Sequence, residues 1–428
     1  AREGRSVLSF ALNFQTNDTW RVAWDLDGPW NLSSCQTIRL HVDAEGDRPA
    51  RMMLYLQAGR GWYRAGFVAV PGENTIDLLR RKFETEEQPG GWDRIEGLRI
   101  AVMREEGPGR AVFLSGIGGV SRTARVALYR NDSGVHEEPG LEEYVDLMGA
   151  ALDRLSIAYE IVGDAEVKAG RLAGKKVAIL PLNPSLPPVA GKRLEQFVAD
   201  GGRLIVCYAV PAPLDALLGV RVTGVLSGEG KLQSFTFEPS GGRPPITPIQ
   251  ESWIARQVKT ATNTQVRAVW VDRAGVLSTE PVVTSSRNGF YIGHVLTPTD
   301  QPRKDLLLQA MIGELWPDLW TDVCKERAAR FGKIAGFKNE ADVRRAIALN
   351  RATSANQASI DAWLKKADRA LADVREAGLD KTKSAQKADA LSQAQEALTF
   401  AYAASVSPQA DEFRAVWCHS PTGVSGLT

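Results

Sequence analysis

The sequence predicts a multidomain protein of mixed α and β structure: a β-sandwich (1–122), an α/β domain (123–318), a helical region (319–410) and one further strand with its loop (411–428). Three observations carry this. Apolar and polar residues alternate in many short runs of the first region. In the second, runs apolar on both faces alternate with amphipathic helices. In the third, apolar residues recur at helical spacing. The length of 428 residues agrees, because a single hydrophobic core rarely serves more than about 300 residues.

In the first region, alternating runs fall at 6–14, 19–25, 37–42, 51–57, 66–70, 98–103 and 111–120. Within Ile38-Arg39-Leu40-His41-Val42 the apolar residues share one face, which leaves His41 facing solvent. Turn clusters such as Ala44-Glu45-Gly46-Asp47 and Pro71-Gly72-Glu73-Asn74 separate the runs. Many short strands with regular turns and no amphipathic helix between them indicate a sandwich.

The α/β region opens on a continuous apolar strand, 126–129, followed by polar Arg130-Asn131-Asp132-Ser133-Gly134. A helix is expected over 141–155, strands at 159–162 and 176–181, and a helix at 189–199 closed by Gly201-Gly202. A strand over 203–208 comes next, and 281–295 with a helix over 306–315 completes the region. Strands apolar on both faces predict a mostly parallel sheet covered on both sides.

In the third region Ile360, Trp363, Leu364, Ala367, Leu371 and Val374 form one helical stripe that Gly378 ends. A second helix starting at Asp380 carries Leu391, Ala394, Leu398 and Tyr402. Together they predict an antiparallel hairpin that must dock on a neighbour to bury its stripes. Phe413–Cys418 then reads as an apolar strand followed by a Pro/Gly-rich loop, the opening of another domain.

Composition excludes several roles. Lys+Arg number 52 and Asp+Glu 51, a net charge of +1, which argues against a general binder of nucleic acid. No apolar run is long enough to span a membrane. Cys35, Cys207, Cys324 and Cys418 are far apart, without the spacing of a zinc site or a disulfide framework. Gly116-Ile117-Gly118-Gly119 lacks the strand-loop-helix context of a phosphate loop. The start Ala1-Arg2-Glu3-Gly4, without Met, favours an exported protein, extracellular or periplasmic.

Glu412-Phe413-Arg414-Ala415-Val416-Trp417, with Gly423-Val424 in the loop after it, resembles the first barrel strand of glycoside hydrolase family 10-like proteins. The resemblance implies a (β/α)8 barrel beginning near Asp411, with its catalytic carboxylates beyond Thr428. The stretch 175–181, a helix, and then Ala199-Asp200-Gly201-Gly202-Arg203-Leu204-Ile205-Val206 is similar to the glutamine-amidotransferase-like domain. That domain, flavodoxin-like in fold, is an accessory part of some β-galactosidases. The first region resembles a jelly-roll carbohydrate-binding module. These resemblances imply the accessory front of a glycosidase, inactive by itself, with a carbohydrate as partner.

An amidotransferase needs a cysteine on a tight, glycine-flanked strand-to-helix turn, and a histidine to activate it. Cys207 lies between Val206 and Tyr208 inside a strand pattern, and no Glu follows His294 to orient it. Cys207 therefore reads as a small buried hydrophobe. A vestigial site at the carboxyl ends of the strands would involve Asn131, Asp132, His136 and Asn183, residues that otherwise read as solvated loop.

Of the eleven Trp, Trp20, Trp24 and Trp92 read as core. Trp62 and Tyr63, after Gly59-Arg60-Gly61, read as loop-exposed sugar contacts, since pyranose C–H patches pack on aromatic faces. His419 would contact substrate at the mouth of the barrel. No cofactor is expected; Asp25 and Asp27 leave room only for a structural Ca²⁺ in the sandwich, with too few oxygens for an EF-hand loop. Two rival readings remain open: a structural or interaction protein without a sugar ligand, and an amidase that uses Cys207.

Overall fold

The N-terminal strands follow from side-chain alternation: along Cys35–Ala44, Ile38, Leu40 and Val42 are buried while Arg39 and His41 are exposed. In a computed structural model, the described residues are 8–12, 19–104, 110–132, 140–240, 243–351, 354, 356–378 and 383–406. The chain divides into two compact units, 1–319 and 320–428.

The first unit begins with nine strands. They are β1 (Leu8–Leu12), β2 (Arg21–Trp30), β3 (Cys35–Ala44), β4 (Ala50–Ala58), β5 (Gly61–Ala69), β6 (Gly72–Leu79), β7 (Glu84–Glu86), β8 (Ile95–Met103) and β9 (Arg110–Ser121). They form two antiparallel sheets, β1-β9-β3-β6 and β2-β8-β4-β5-β7. Leu40, Val42, Met52, Leu54, Leu56, Ile100, Val102 and Val112 fill the space between them. Sequence alternation does not announce β6 or β7, because each lies at a sheet edge and carries mostly polar residues. Of the tryptophans expected in the core, Trp92 is buried and Trp24 packs against the core. Trp20 does not: it precedes β2 and is 56% exposed, with Arg21 stacked on it at 4.4 Å.

The α/β part adds β10 (Val126–Tyr129), α1 (Leu141–Arg154), β11 (Tyr159–Val162), α2 (Asp164–Lys168), β12 (Val177–Leu180), α3 (Pro188–Ala199), β13 (Arg203–Cys207) and α4 (Leu214–Leu218). It continues with β14 (Val220–Ser234), β15 (Ile249–Thr260), β16 (Gln265–Val271), β17 (Leu277–Ser286), β18 (Gly289–Ile292) and α5 (Gln301–Leu315). All nine strands join one sheet, ordered β11-β10-β12-β13-β18-β17-β16-β14-β15. The expectation of a mostly parallel sheet is corrected here. The pairs from β11 to β18 are parallel, and those from β18 to β15 are antiparallel. Residues 220–286 alternate exposed and buried positions, and antiparallel neighbours need only short turns.

Helices α2, α3 and α4 share a core with Ala127, Tyr129, Ala178, Leu180, Leu204 and Val206. The alternate residues Val126, Leu128, Val177, Ile179 and Ile205 face the other side and are equally buried. Gly289 allows β18 to lie against β13: a Cβ there would stand 1.9 Å from the Leu204 carbonyl oxygen.

A charged seam joins the sandwich to the α/β part. The 3-10 turn Arg80–Lys82 supplies most of it. Arg80 pairs with Glu166 at 2.6 Å, with side chains 1% and 0% exposed, and stacks on Trp92 at 4.7 Å. Arg81 donates to Asp146, Asp153 and Tyr159, and Lys82 to Asp146. Arg130 donates to the Phe83 carbonyl at 2.8 Å, and Gln36 exchanges two hydrogen bonds with the backbone of Ile161. Buried charges are tolerated only when paired.

The helical part comprises α6 (Leu319–Arg330), α7 (Glu340–Arg351), α8 (Gln357–Ala377) and α9 (Ser384–Ser405). In α8 and α9 the expected stripes meet where Ile360 packs with Leu398, beside Ala401; Trp363 stacks at 4.8 Å on Phe400, which the expected stripe did not include. Their neighbour is α7, through Val343 and Ile347. Asp380 and the whole of 407–428, including the strand expected at Phe413–Cys418, lie outside the described residues.

Candidate functional site

The outer face of sheet β2-β8-β4-β5-β7 concentrates polar and aromatic side chains. Strand register sets them in rows. One row crosses all five strands as Asp25, Arg99, Tyr55, Arg64 and Glu84. The next runs Asp27, Gly97, Gln57, Trp62 and Glu86. Trp62 meets Tyr55 edge-to-face at 6.2 Å, and the Arg99 guanidinium lies 5.3 Å from the Trp62 ring. Arg99 forks onto both Asp25 oxygens at 2.7 and 2.8 Å. That bond, first of all, holds the Asp25 carboxyl below its usual range. Arg64 reaches Glu84 at 2.9 Å and Glu86 at 2.5 Å.

These pairs occupy both arginines and leave the two rows, with four carboxylates, at a net charge of −2. Among the described residues, Gln57, Asp27 and the Trp62 indole N–H have no hydrogen-bond partner. The face thus offers the half-buried Trp62 ring, backed by Tyr55 at 7% exposure, beside unspent donors and acceptors.

Trp62 and Tyr63 were expected to share exposure. They cannot, because neighbours in a strand point to opposite faces. Trp62 is half-buried on the outer face. Tyr63 is 0% exposed, packed on Trp92 at 5.5 Å, with burial pushing its hydroxyl far up. Tyr63 is core. Tyr55, Gln57 and Arg99 were not singled out from the sequence; the alternation that revealed β4 and β8 marks them as outward-facing.

The α/β residues divide in two. Asn131 reaches the segment after β12, where Asn183 lies: the Asn131 amide donates to the Ser185 carbonyl at 2.6 Å. They lie where β10 and β12 end, at the point where strand order reverses. Neither is a solvated loop residue, as both are buried. Asn183 is 0% exposed and neither of its amide atoms is bonded. Asp132 turns instead toward the seam, 2.8 Å from Arg130, where burial pushes its carboxyl up to about 6. His136 and His419 lie outside the described residues.

Cys207 is sealed in the sheet at 0% exposure, and burial pushes its thiol up to about 12. That removes the thiolate an amidase would need. The strained turn falls one residue later, at Tyr208, whose φ is 58°. His294 lies edge-on to Tyr208 at 5.6 Å, with Arg256 over the same ring at 4.4 Å. Burial lowers the His294 pKa, so the ring is neutral at pH 7.

No family model and no curated protein matches the chain. Solved structures similar to parts of it include glycosidases and carbohydrate-binding modules, at low identity. α-L-Fucosidase isoenzyme 2 from Paenibacillus thiaminolyticus aligns over 46% of this chain and 33% of its own, at 18% identity and a TM-score of 0.34. The chain thus spans about a third of that enzyme. A putative ThuA-like protein from Bacteroides uniformis aligns over 46% of this chain and 94% of its own, at 12% identity and a TM-score of 0.35. The family 11 carbohydrate-binding module from Clostridium thermocellum, solved with a β-1,3-1,4-mixed-linked tetrasaccharide, covers 28% of this chain and 87% of its own. Its identity is 14% and its TM-score 0.20. At such low TM-scores no function is transferred.

Proposed function

We propose that the five-stranded face of the sandwich binds a neutral oligosaccharide. The carrying observation is the pair of rows centred on Tyr55 and Trp62. A pyranose ring presents C–H groups that stack on an indole, and its hydroxyls both donate and accept. Gln57, one strand from Trp62, supplies matching groups together with the Trp62 N–H, and Asp27 lies two strands beyond Gln57 in the same row. The net negative charge of the rows disfavours an acidic glycan on this face, and each arginine already holds a carboxylate.

On this reading the chain is the non-catalytic accessory region of a glycoside hydrolase whose whole protein cleaves O-glycosidic bonds outside the cell or in the periplasm. A jelly-roll binding module leads, an inactive amidotransferase-like domain and a helical region follow, and 411–428 opens the catalytic barrel. The rows' own carboxylates do not suit catalysis. Arg99 holds Asp25 below its usual range, and Glu84 and Glu86 pair with Arg64 on an open sheet, whereas a glycosidase acid needs a raised pKa in a cleft.

Calorimetric titration of the full chain against a panel of neutral oligosaccharides tests this. At least one is expected to bind, and Trp62→Ala to weaken it about tenfold or more, equivalent to about 1.4 kcal/mol. Binding that survives Trp62→Ala and Gln57→Ala unchanged places the sugar elsewhere and ends the proposal.

A further inference from the structure

The carboxyl edge of the α/β sheet holds a second set of unspent polar groups, and the geometry points to a subsite there for a hydroxylated carboxylate. It does not depend on sugar binding by the sandwich. Its centre is Tyr208. A non-glycine residue at φ 58° is strained, by about 1–3 kcal/mol, and persists only where its surroundings enforce it. Here they do: the Tyr208 N–H donates to the Ile292 carbonyl at 2.8 Å, and the Tyr291 hydroxyl donates to the Tyr208 carbonyl at 2.9 Å. The turn holds the ring at the carboxyl end of β13, the end where ligands of open α/β sheets lie.

Two groups near this ring, and a third at the end of β12, lack partners among the described residues. The Arg256 guanidinium, stacked 4.4 Å away, forms neither an ion pair nor a hydrogen bond. Gln250, 1% exposed, donates its Nε2 to the Val295 carbonyl at 2.7 Å and lies 2.9 Å from His294 Nδ1, which is itself 2.8 Å from the same carbonyl, while its Oε1 has no donor. Leu182 packs with Tyr208 and Val295, and the next residue, Asn183, is fully buried with its amide unbonded. Unpaired buried polar groups are costly and call for a partner.

The needs of these groups define the ligand. An idle guanidinium calls for a carboxylate, which it can grip with two parallel bonds. The Gln250 oxygen calls for a hydroxyl donor, which a carboxylate cannot supply. The Tyr208 ring offers an apolar edge. One molecule meets all three when it carries a carboxylate beside hydroxyls, and both a sugar acid and a simple hydroxy acid do so.

The test titrates the full chain with D-glucuronate and with L-lactate, using glucose and acetate as controls. One of the two acids is expected to bind, to weaken at least tenfold in Arg256→Ala and clearly in Arg256→Lys, and to be indifferent to Trp62→Ala. Glucuronate alone identifies a sugar-acid site, and lactate alone a hydroxy-acid site. Because a nearby anion favours imidazolium, saturation should also raise the His294 pKa, read by NMR and assigned with His294→Gln. Glucose binding as well as glucuronate, acid binding unchanged in folded Arg256→Ala, or no binding of either acid would each overturn the subsite. Loss of acid binding in Trp62→Ala would assign the ligand to the sandwich and overturn it equally.

Discussion

Both the sandwich and the α/β part stack arginines on aromatic rings, and each part holds stacks with a carboxylate and a stack without one: among the described residues Arg21 on Trp20 has none, and Arg267 on Phe237 holds Glu314. In the sandwich, Arg99 lies by Trp62 and is gripped by Asp25, while Arg80 lies on Trp92 and is gripped by Glu166. At the α/β carboxyl edge, Arg256 lies on Tyr208 and is gripped by nothing described. The routes to these stacks differ too. Trp62 faces outward through plain strand alternation, whereas Tyr208 does so through a left-handed turn. An arginine–aromatic stack is therefore a shared packing element, and the carboxylate beside it decides whether charge is left over for a ligand.

The contrast can be pressed hardest at the seam. Glu166→Ala strands Arg80 in a buried site, and removing one partner of a buried pair typically costs about 3–5 kcal/mol. Chemical denaturation should show a loss of that size. A loss below about 1 kcal/mol would mean that Arg80 finds water, and the paired–unpaired distinction would fail.

Asp132 gives the next largest effect, with a sign opposite to that of most carboxylates. Its folded pKa of about 6 lies above the unfolded 3.8, so the folded chain binds the extra proton between those values. The group's contribution to stability is then full below about 3.8 and is lost as pH rises through about 6. The swing is on the order of 3 kcal/mol. Asp132→Asn should flatten that part of the stability–pH profile, and an unchanged profile would show that Arg130 already holds the carboxylate ionised.

The exposed stack should matter least to folding. The Asp25 side chain is more than half exposed, and surface ion pairs are worth about 0.2–1 kcal/mol. Asp25→Asn is expected to leave the melting temperature within a few degrees while freeing Arg99. If this face follows the same rule as Arg256, the variant gains affinity for an acidic oligosaccharide over a neutral one, measured by calorimetry.

Much of the architecture was legible because helices and strands announce their period. The stripe from Ile360 to Val374 and the runs at 37–42 and 203–208 are local patterns, readable without knowing their partners. The polar edge strands β6 and β7 were not, since an edge strand needs little apolar character. The candidate sites were legible only in part. Trp62 stood out by residue type, but Tyr63 was grouped with it although alternation separates them. Tyr208 was hidden behind Cys207, because a one-residue difference in where a strand turns is set by Ile292 and Tyr291 from a distant strand.

The sequence by itself determined the periodicities, the succession of β-rich, α/β and helical stretches, and the balance of charge. These depend on neighbours one to four positions apart. Only tertiary structure decided which arginine meets which carboxylate, that half of the nine-stranded sheet runs antiparallel, and that Arg256 reaches Tyr208 from 48 residues away. Such pairings rest on contacts between distant segments. Their free energy exists only once the chain has closed the loops between them, and no local pattern records it.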